Sequence, residues 1–216
     1  MKIFLDTSDV DIIRKHCETG LIDGVTTNPS LMMQAGKNPV KVISDISSLF
    51  ESDASISAEV VADSAEEMIT QAKQYYSIND NITIKVPCNY EGLKACRVLS
   101  SKDINVNVTL IFSLNQSILA AKSGATYISP FIGRCEDNDI DGIDLISSIR
   151  KVFNLNNIST NILAASIRNI NHINESFKAG ADIVTIPPKV FEEMYHHDLT
   201  DQGLAQFDKD WKKLNS

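Results

Sequence analysis

Long hydrophobic runs are missing from this chain. No apolar stretch approaches the roughly 18 residues of a membrane-spanning helix, so an α-helical span is excluded. Positive charge is short as well. With 20 Lys and Arg against 28 Asp and Glu, the net charge is −8, which argues against nucleic acid or an anionic membrane surface as the main partner. A few converging arginines would still suffice to hold a phosphate locally. The 4 cysteines, Cys17, Cys88, Cys96 and Cys135, form no C-x-x-C pair, so neither a zinc ribbon nor a dithiol redox centre is written here. Cys88 is either a pocket-wall residue or a plain loop thiol. The 4 histidines, His16, His172, His196 and His197, fall in helical or tail segments and none ends a strand, so no metal and no cofactor is expected. Asp6 and Asp9 interrupt the first residues where a secretory signal would need an apolar core. The expectation is a soluble protein of a reducing compartment, most simply the cytoplasm.

What is present is alternation. At 216 residues, 43% of them hydrophobic, the chain fits one well-cored domain over 1–216 and is short for two. Short apolar runs recur at Ile3-Phe4-Leu5, Gly24-Val25-Thr26-Thr27, Ile56 to Val61, Ile82 to Val86 and Val106 to Leu110. Tyr127 to Phe131, Ile162 to Ala165 and Ile183 to Ile186 complete a set of eight strand candidates. Helical spacing fills the intervals. Val10, Ile13 and Cys17 form a stripe behind the candidate caps Thr7 and Ser8. Others are Val40, Ile43 and Ile46 after Pro39, then Ala65, Met68, Ile69 and Ala72 after Ser64. Leu93, Ala95, Cys96 and Leu99, then Ile118, Leu119 and Ala121 beyond Ser113, then Ile143, Ile146 and Ile149 continue the series. Two more helices are expected from about Arg168 to Phe177 and from Pro187 to Met194. Gly124-Ala125 and Gly180-Ala181 stand where a helix must stop and turn back into a sheet. This pattern predicts an α/β fold, a single (β/α)8 TIM barrel, with an added C-terminal helix at about 200–214 carrying Leu204, Phe207 and Trp211. A doubly wound open sheet is the alternative. It would place a glycine-rich loop after the first strand, where Asp6-Thr7-Ser8-Asp9 stands instead.

Barrel pockets lie at the C-terminal ends of the strands. The inward positions there are unusually polar: Asp6, Thr26 with Asn28, Glu59, Lys85, Asn107 with Thr109, Ser129 with Phe131, and Ser166 followed by Arg168. One such residue is ordinarily a cap or a turn. Seven strands in succession ending this way would crowd unpaired polar groups into one space, which is costly unless they serve a ligand. Lys85 sits inside Ile82-Thr83-Ile84-Lys85-Val86-Pro87. Alone it reads as a snorkelling strand-end lysine; with the rest it reads as a desolvated amine able to attack a carbonyl. Asp6 and Glu59 are read as one carboxylate on each side of the amine, two acid/base groups around it, or one of them is simply its structural ion-pair partner. Arg134, Ser166 and Arg168 suit a phosphate, although Arg134 has a second candidate partner in the acidic loop Glu136-Asp137-Asn138-Asp139.

Six motifs occur in order: Asp6-Thr7-Ser8-Asp9, Thr26-Thr27-Asn28-Pro29-Ser30-Leu31, Ile84-Lys85-Val86-Pro87, Asn107 to Ser113, Tyr127 to Arg134, and Ala164 to Asn169. In this the chain closely resembles the short-chain transaldolase family, which includes the fructose-6-phosphate aldolases. The resemblance implies a metal-free class I reaction in which Lys85 forms a Schiff base with C2 of a ketose phosphate. It implies that Glu59 and Thr109 hold a proton-relaying water and that Asp6 takes the C4 hydroxyl proton. Asn28, Asn107 and Ser129 would then grip the dihydroxyacetone unit and Arg134, Ser166 and Arg168 the phosphate, with Thr26 and Phe131 also expected to bind substrate. The donor would be sedoheptulose 7-phosphate or fructose 6-phosphate and the acceptor glyceraldehyde 3-phosphate or erythrose 4-phosphate, as in the non-oxidative pentose phosphate pathway. By resemblance the aldolase branch carries glutamine in strand three and tyrosine in strand six. Glu59 and Phe131 follow the transaldolase branch, and Cys88-Asn89-Tyr90 is the least typical stretch. The family also implies homo-oligomers, pentamers or decamers, with the C-terminal helix on a neighbour. Two rival activities remain: an aldolase releasing free dihydroxyacetone, and a sugar-phosphate isomerase or epimerase that would leave Lys85 without a task.

Overall fold

A computed structural model describes residues 1–215; Ser216, the last residue of the expected domain span, lies outside the described residues. Eight parallel strands close into a barrel in chain order. They are β1 (Lys2–Asp6), β2 (Gly24–Thr26), β3 (Ser55–Glu59), β4 (Ile82–Pro87), β5 (Val106–Ile111), β6 (Tyr127–Pro130), β7 (Asn161–Ala164) and β8 (Ile183–Ile186). The architecture is thus a (β/α)8 TIM barrel. Period-two alternation sends Leu5, Val25, Ile56, Ile84, Val106, Ile128, Ile162 and Val184 outward, all 0% exposed, into one continuous core beneath the helices. The opposite faces line the lumen, where a small apolar cluster of Phe4, Leu163, Ala165 and Ile183 fills one side. Gly24 makes room for it: a Cβ there would lie 2.3 Å from the Ser55 carbonyl and 2.9 Å from the Phe4 ring.

The rest of the lumen is polar and cross-bonded. Ser55 Oγ and Thr83 Oγ1 are 2.8 Å apart, and the Thr26 and Thr185 hydroxyls 2.6 Å apart. Asn107 donates to Ser57 Oγ at 3.3 Å and accepts from Ser129 Oγ at 2.8 Å. Each buried hydroxyl is thereby relieved of part of its desolvation cost.

The helices are α1 (Val10–Cys17), α2 (Pro29–Ala35), α3 (Pro39–Ser47), α4 (Ala65–Tyr76), α5 (Tyr90–Ser100) and α6 (Leu114–Lys122). They continue with α7 (Ile132–Glu136), α8 (Gly142–Leu155), α9 (Ile170–Lys178), α10 (Pro188–Glu193) and α11 (Asp198–Leu214). Ser64 and Ser113 cap α4 and α6 as expected, and Gly124 and Gly180 take φ of +92° and +100° at the helix-to-strand turns. The cap of α1 is Asp9, whose carboxylate accepts the Asp11 and Ile12 N–H groups; Thr7 and Ser8 do not cap it. A carboxylate outcompetes a hydroxyl for that role because it also meets the helix dipole. In α6 the apolar stripe is out of phase with burial: Ser117 and Ala120 face inward while Leu119 is 54% exposed. The short α2 and α7 follow β2 and β6 directly and escape periodicity because they are too brief to show one. Helix α9 starts at Ile170, capped by Asn169, and not at Arg168. In β5, Leu110 adopts φ +60° and the register with β6 slips, so Ile111, not Leu110, resumes the buried face. Among the described residues no helix is long and apolar enough to cross a membrane.

Candidate active site

Lys85 and Glu59 are register partners on adjacent strands, so their side chains leave the sheet side by side. Nζ of Lys85 lies 3.0 Å from Glu59 Oε2 and donates to the Thr27 carbonyl at 3.0 Å, with the two side chains only 6% and 14% exposed. Asp6 stands across the barrel mouth, paired in register with Thr26, whose hydroxyl donates to Asp6 Oδ1 at 2.7 Å. Burial pushes the Asp6 carboxyl above the ordinary carboxylate range; the Lys85 charge and the Thr26 hydrogen bond oppose that without cancelling it. A buried amine in contact with one carboxylate, with a second carboxyl whose protonated form burial favours, supplies the groups that acid/base chemistry on an amine requires.

These groups open onto a cavity of about 130 Å³ lined by Asp6, Thr26, Asn28, Lys85, Ser129, Phe131, Arg134, Ala165, Ser166 and Thr185. Eight of the twelve residues singled out in the sequence meet there. The other four lie apart. Glu59 touches Lys85 from a neighbouring cavity of about 250 Å³, shared with Asn28 and walled by Met32, Ile43 and Tyr75. Asn107 is 0% exposed below the floor, with both ends of its amide spent on Ser57 and Ser129. It supports Ser129, which lines the cavity. Thr109 is 1% exposed, and its hydroxyl has no hydrogen-bond partner among the described residues. Such a group is costly in a dry core and useful beside a ligand.

Arg168 is the fourth. Its guanidinium makes a bidentate pair with Asp137, Nη1 to Oδ1 at 2.6 Å and Nη2 to Oδ2, at the rim outside the cavity lining. The pairing holds the Asp137 carboxyl below its usual range. The acidic loop therefore pairs its Asp137 carboxylate with Arg168, while it meets Arg134 through the Asn138 amide, which donates to the Arg134 carbonyl at 2.9 Å. Arg134 instead stacks its guanidinium 5.0 Å above the Phe131 ring, which meets Phe112 edge-on. The reason is position: Arg134 lies three residues after Phe131 within α7 and stacks on that ring, while Asp137 closes the helix as its C-cap, where Arg168 reaches it.

Thr185 and Ala165 were not anticipated in the cavity. Strand eight was read only for its apolar residues, yet Thr185 is the one polar residue in Ile183–Ile186 and stands on the inward phase with Ile183. Among the described residues no three His, Cys, Asp or Glu side chains converge as a metal site would need. A larger cleft of about 720 Å³ between α1 and α2–α3 is lined by polar and charged side chains, Asp11, Arg14, Lys37 and Asp45 among them, and does not include Lys85.

A family profile described as Transaldolase/Fructose-6-phosphate aldolase matches residues 3–216. Similar proteins include a probable transaldolase of Chelativorans sp., 51% identical over 213 residues, covering 99% of this chain and 97% of that protein. Probable transaldolases of Paracoccus denitrificans, 50% identical over 213 residues, and Symbiobacterium thermophilum, 49% identical over 212, cover 99% and 98% of this chain and 97% of each relative. With a match of this extent over a barrel whose mouth gathers a buried lysine and two carboxyl groups, the chain belongs to the transaldolase/fructose-6-phosphate aldolase family.

Proposed function

We propose that this protein is a class I transaldolase that moves a dihydroxyacetone unit from a ketose phosphate to an aldose phosphate through a Schiff base on Lys85. The observation that carries the reading is Lys85 itself, buried between Glu59 and the Asp6–Thr26 pair at the cavity wall. Glu59, 3.0 Å from Nζ, is placed to take the ammonium proton so that the free amine attacks C2 of the donor. The carbinolamine then loses water, with Glu59 supplying the proton and the Thr109 hydroxyl, unpartnered among the described residues, offering an unused hydrogen bond. Asp6, whose raised pKa suits it to hold a proton in turn, accepts the C4 hydroxyl proton as the C3–C4 bond breaks. The aldose phosphate leaves, and the enamine attacks the incoming aldehyde before hydrolysis frees Lys85. Asn28 and Ser129 face the three-carbon unit. Arg134 and Ser166 take the phosphate at the cavity wall, and Arg168 joins them when the anion displaces Asp137.

The family description also names an aldolase activity, so release of free dihydroxyacetone is the second reading. Glu59 and Phe131, the transaldolase pattern by resemblance, favour transfer. We also place the protein as a cytoplasmic homo-oligomer. On α11, Leu204, Phe207 and Trp211 are 61%, 72% and 67% exposed, an apolar face suited to a second copy. Product analysis with fructose 6-phosphate, with and without erythrose 4-phosphate, tests the reaction. Sedoheptulose 7-phosphate formed only with the acceptor, together with borohydride trapping of a three-carbon adduct on Lys85, is expected. Free dihydroxyacetone at a comparable rate without acceptor would make it an aldolase, and turnover without any trappable adduct would remove the Schiff base.

A further inference from the structure

We infer that His172 is a positioning residue that fixes the anion-binding end of the cavity; the inference rests on the phosphate reading above. His172 lies in the first turn of α9, its backbone N–H capped by Asn169 and its ring buried at 5% exposure. Both ring nitrogens are engaged. Nδ1 accepts the backbone N–H of Arg168 at 3.3 Å, and Nε2 lies 3.0 Å from Glu136 Oε2. An amide N–H cannot act as an acceptor, so Nδ1 offers its lone pair and Nε2 carries the hydrogen that Glu136 receives. The carboxylate thus selects the tautomer that can hold the Arg168 amide.

That amide belongs to a loop under conformational demand. Ser166 adopts φ +58°, a region that residues other than glycine seldom occupy. Upstream, Ile132 and Gly133 of α7 donate their N–H groups to the Ala165 and Ser166 carbonyls at 2.9 and 3.0 Å. Gly133 is also the seat of Arg168: a Cβ there would lie 2.5 Å from the Ser166 carbonyl and 2.5 Å from Arg168 Nε. Downstream of Ser166, the imidazole is the side chain that grips the loop backbone, and through Glu136 it ties the loop to the same short helix. One helix therefore holds Ser166–Arg168 from both ends, and His172 closes the frame. Ser166 lines the cavity and Arg168 stands at its rim, so loosening this frame weakens anion binding and leaves Lys85 and its carboxyl groups untouched.

The test compares wild type, His172→Leu and His172→Asn on fructose 6-phosphate and on unphosphorylated fructose, with inorganic phosphate as competitive inhibitor. His172→Leu is expected to raise KM for the phosphorylated donor and the inhibition constant of phosphate about tenfold, as befits loss of one charge-assisted contact. Its kcat, and kcat/KM on fructose, stay near wild type. His172→Asn restores most of the loss, because an amide oxygen at the δ position can accept the same N–H. An unchanged KM and phosphate constant in a folded His172→Leu overturns the inference, as does an equal loss on both donors. A wild type that neither prefers the phosphorylated donor nor is inhibited by phosphate overturns the substrate reading itself.

Discussion

The Lys85–Glu59 pair lends itself to a double-mutant cycle whose outcome can be worked out beforehand. Lys85→Met removes the amine at nearly constant volume and strands a carboxylate that is 14% exposed. Removing one partner of a buried pair costs about 3–5 kcal/mol. The side cavity beside Glu59 gives that charge some relief, so the low end, about 3 kcal/mol, applies. For a chain of this length each kcal/mol moves the melting temperature by about 2–4 °C, a fall of about 6–12 °C. Adding Glu59→Gln removes the stranded charge while keeping its shape. The double variant should return to within about 1 kcal/mol of wild type, about 2–3 kcal/mol more stable than Lys85→Met alone. Thermal and urea denaturation of the four proteins measure this, and borohydride trapping on the same samples shows that both proteins lacking Lys85 form no adduct. A double variant as unstable as the two single losses added together would refute the reasoning, since the residues would then contribute separately and not as a pair.

Three further outcomes follow from the same geometry. Asp6→Asn should lower turnover about 100-fold or more while making the protein more stable at neutral pH. The sign follows from the raised folded pKa: the stabilising proton is held below the unfolded value of 3.8 and its benefit is lost as pH rises through the folded value, so the advantage of the asparagine variant should grow over that interval in denaturation midpoints against pH. Asp137→Asn should lower KM for phosphorylated donors severalfold by releasing Arg168, and a rise would mean that Asp137 aims the guanidinium and does not compete for it. Gly24→Ala should cost about 1–3 kcal/mol with no change in substrate preference, because its Cβ meets the Ser55 carbonyl and the Phe4 ring; a neutral effect in urea denaturation would show that the lumen yields there.

The barrel was legible because period-two runs and helical stripes alternate along the whole chain, and because the polar strand ends share one phase. Where legibility failed, the cause was contact across elements. Nothing local distinguishes Asn107 from Asn28, yet one is consumed by Ser57 and Ser129 and the other faces the cavity. In the sequence Arg134 adjoins the acidic loop and Arg168 is remote from it, yet Asp137, at the end of a five-residue helix, binds Arg168. Helix α7 itself was invisible, and it is the element that frames Ser166 and Arg168. Thr185 was there to be found by extending the inward phase to the eighth strand.

The hydroxyl lattice of the lumen bears on how this protein can be engineered. Thr26, Thr185 and Asp6 form one linked group, and Ser57, Asn107 and Ser129 another, each spanning three strands that are far apart in the chain. A library that varies one of these positions at a time will sample mostly orphaned donors and acceptors, and will report the lumen as immutable. Varying each linked group together, with matched small apolar replacements, opens routes that single-site scanning closes. The accessible sequence neighbourhood of this barrel is therefore set by its bonded triples and not by its individual residues.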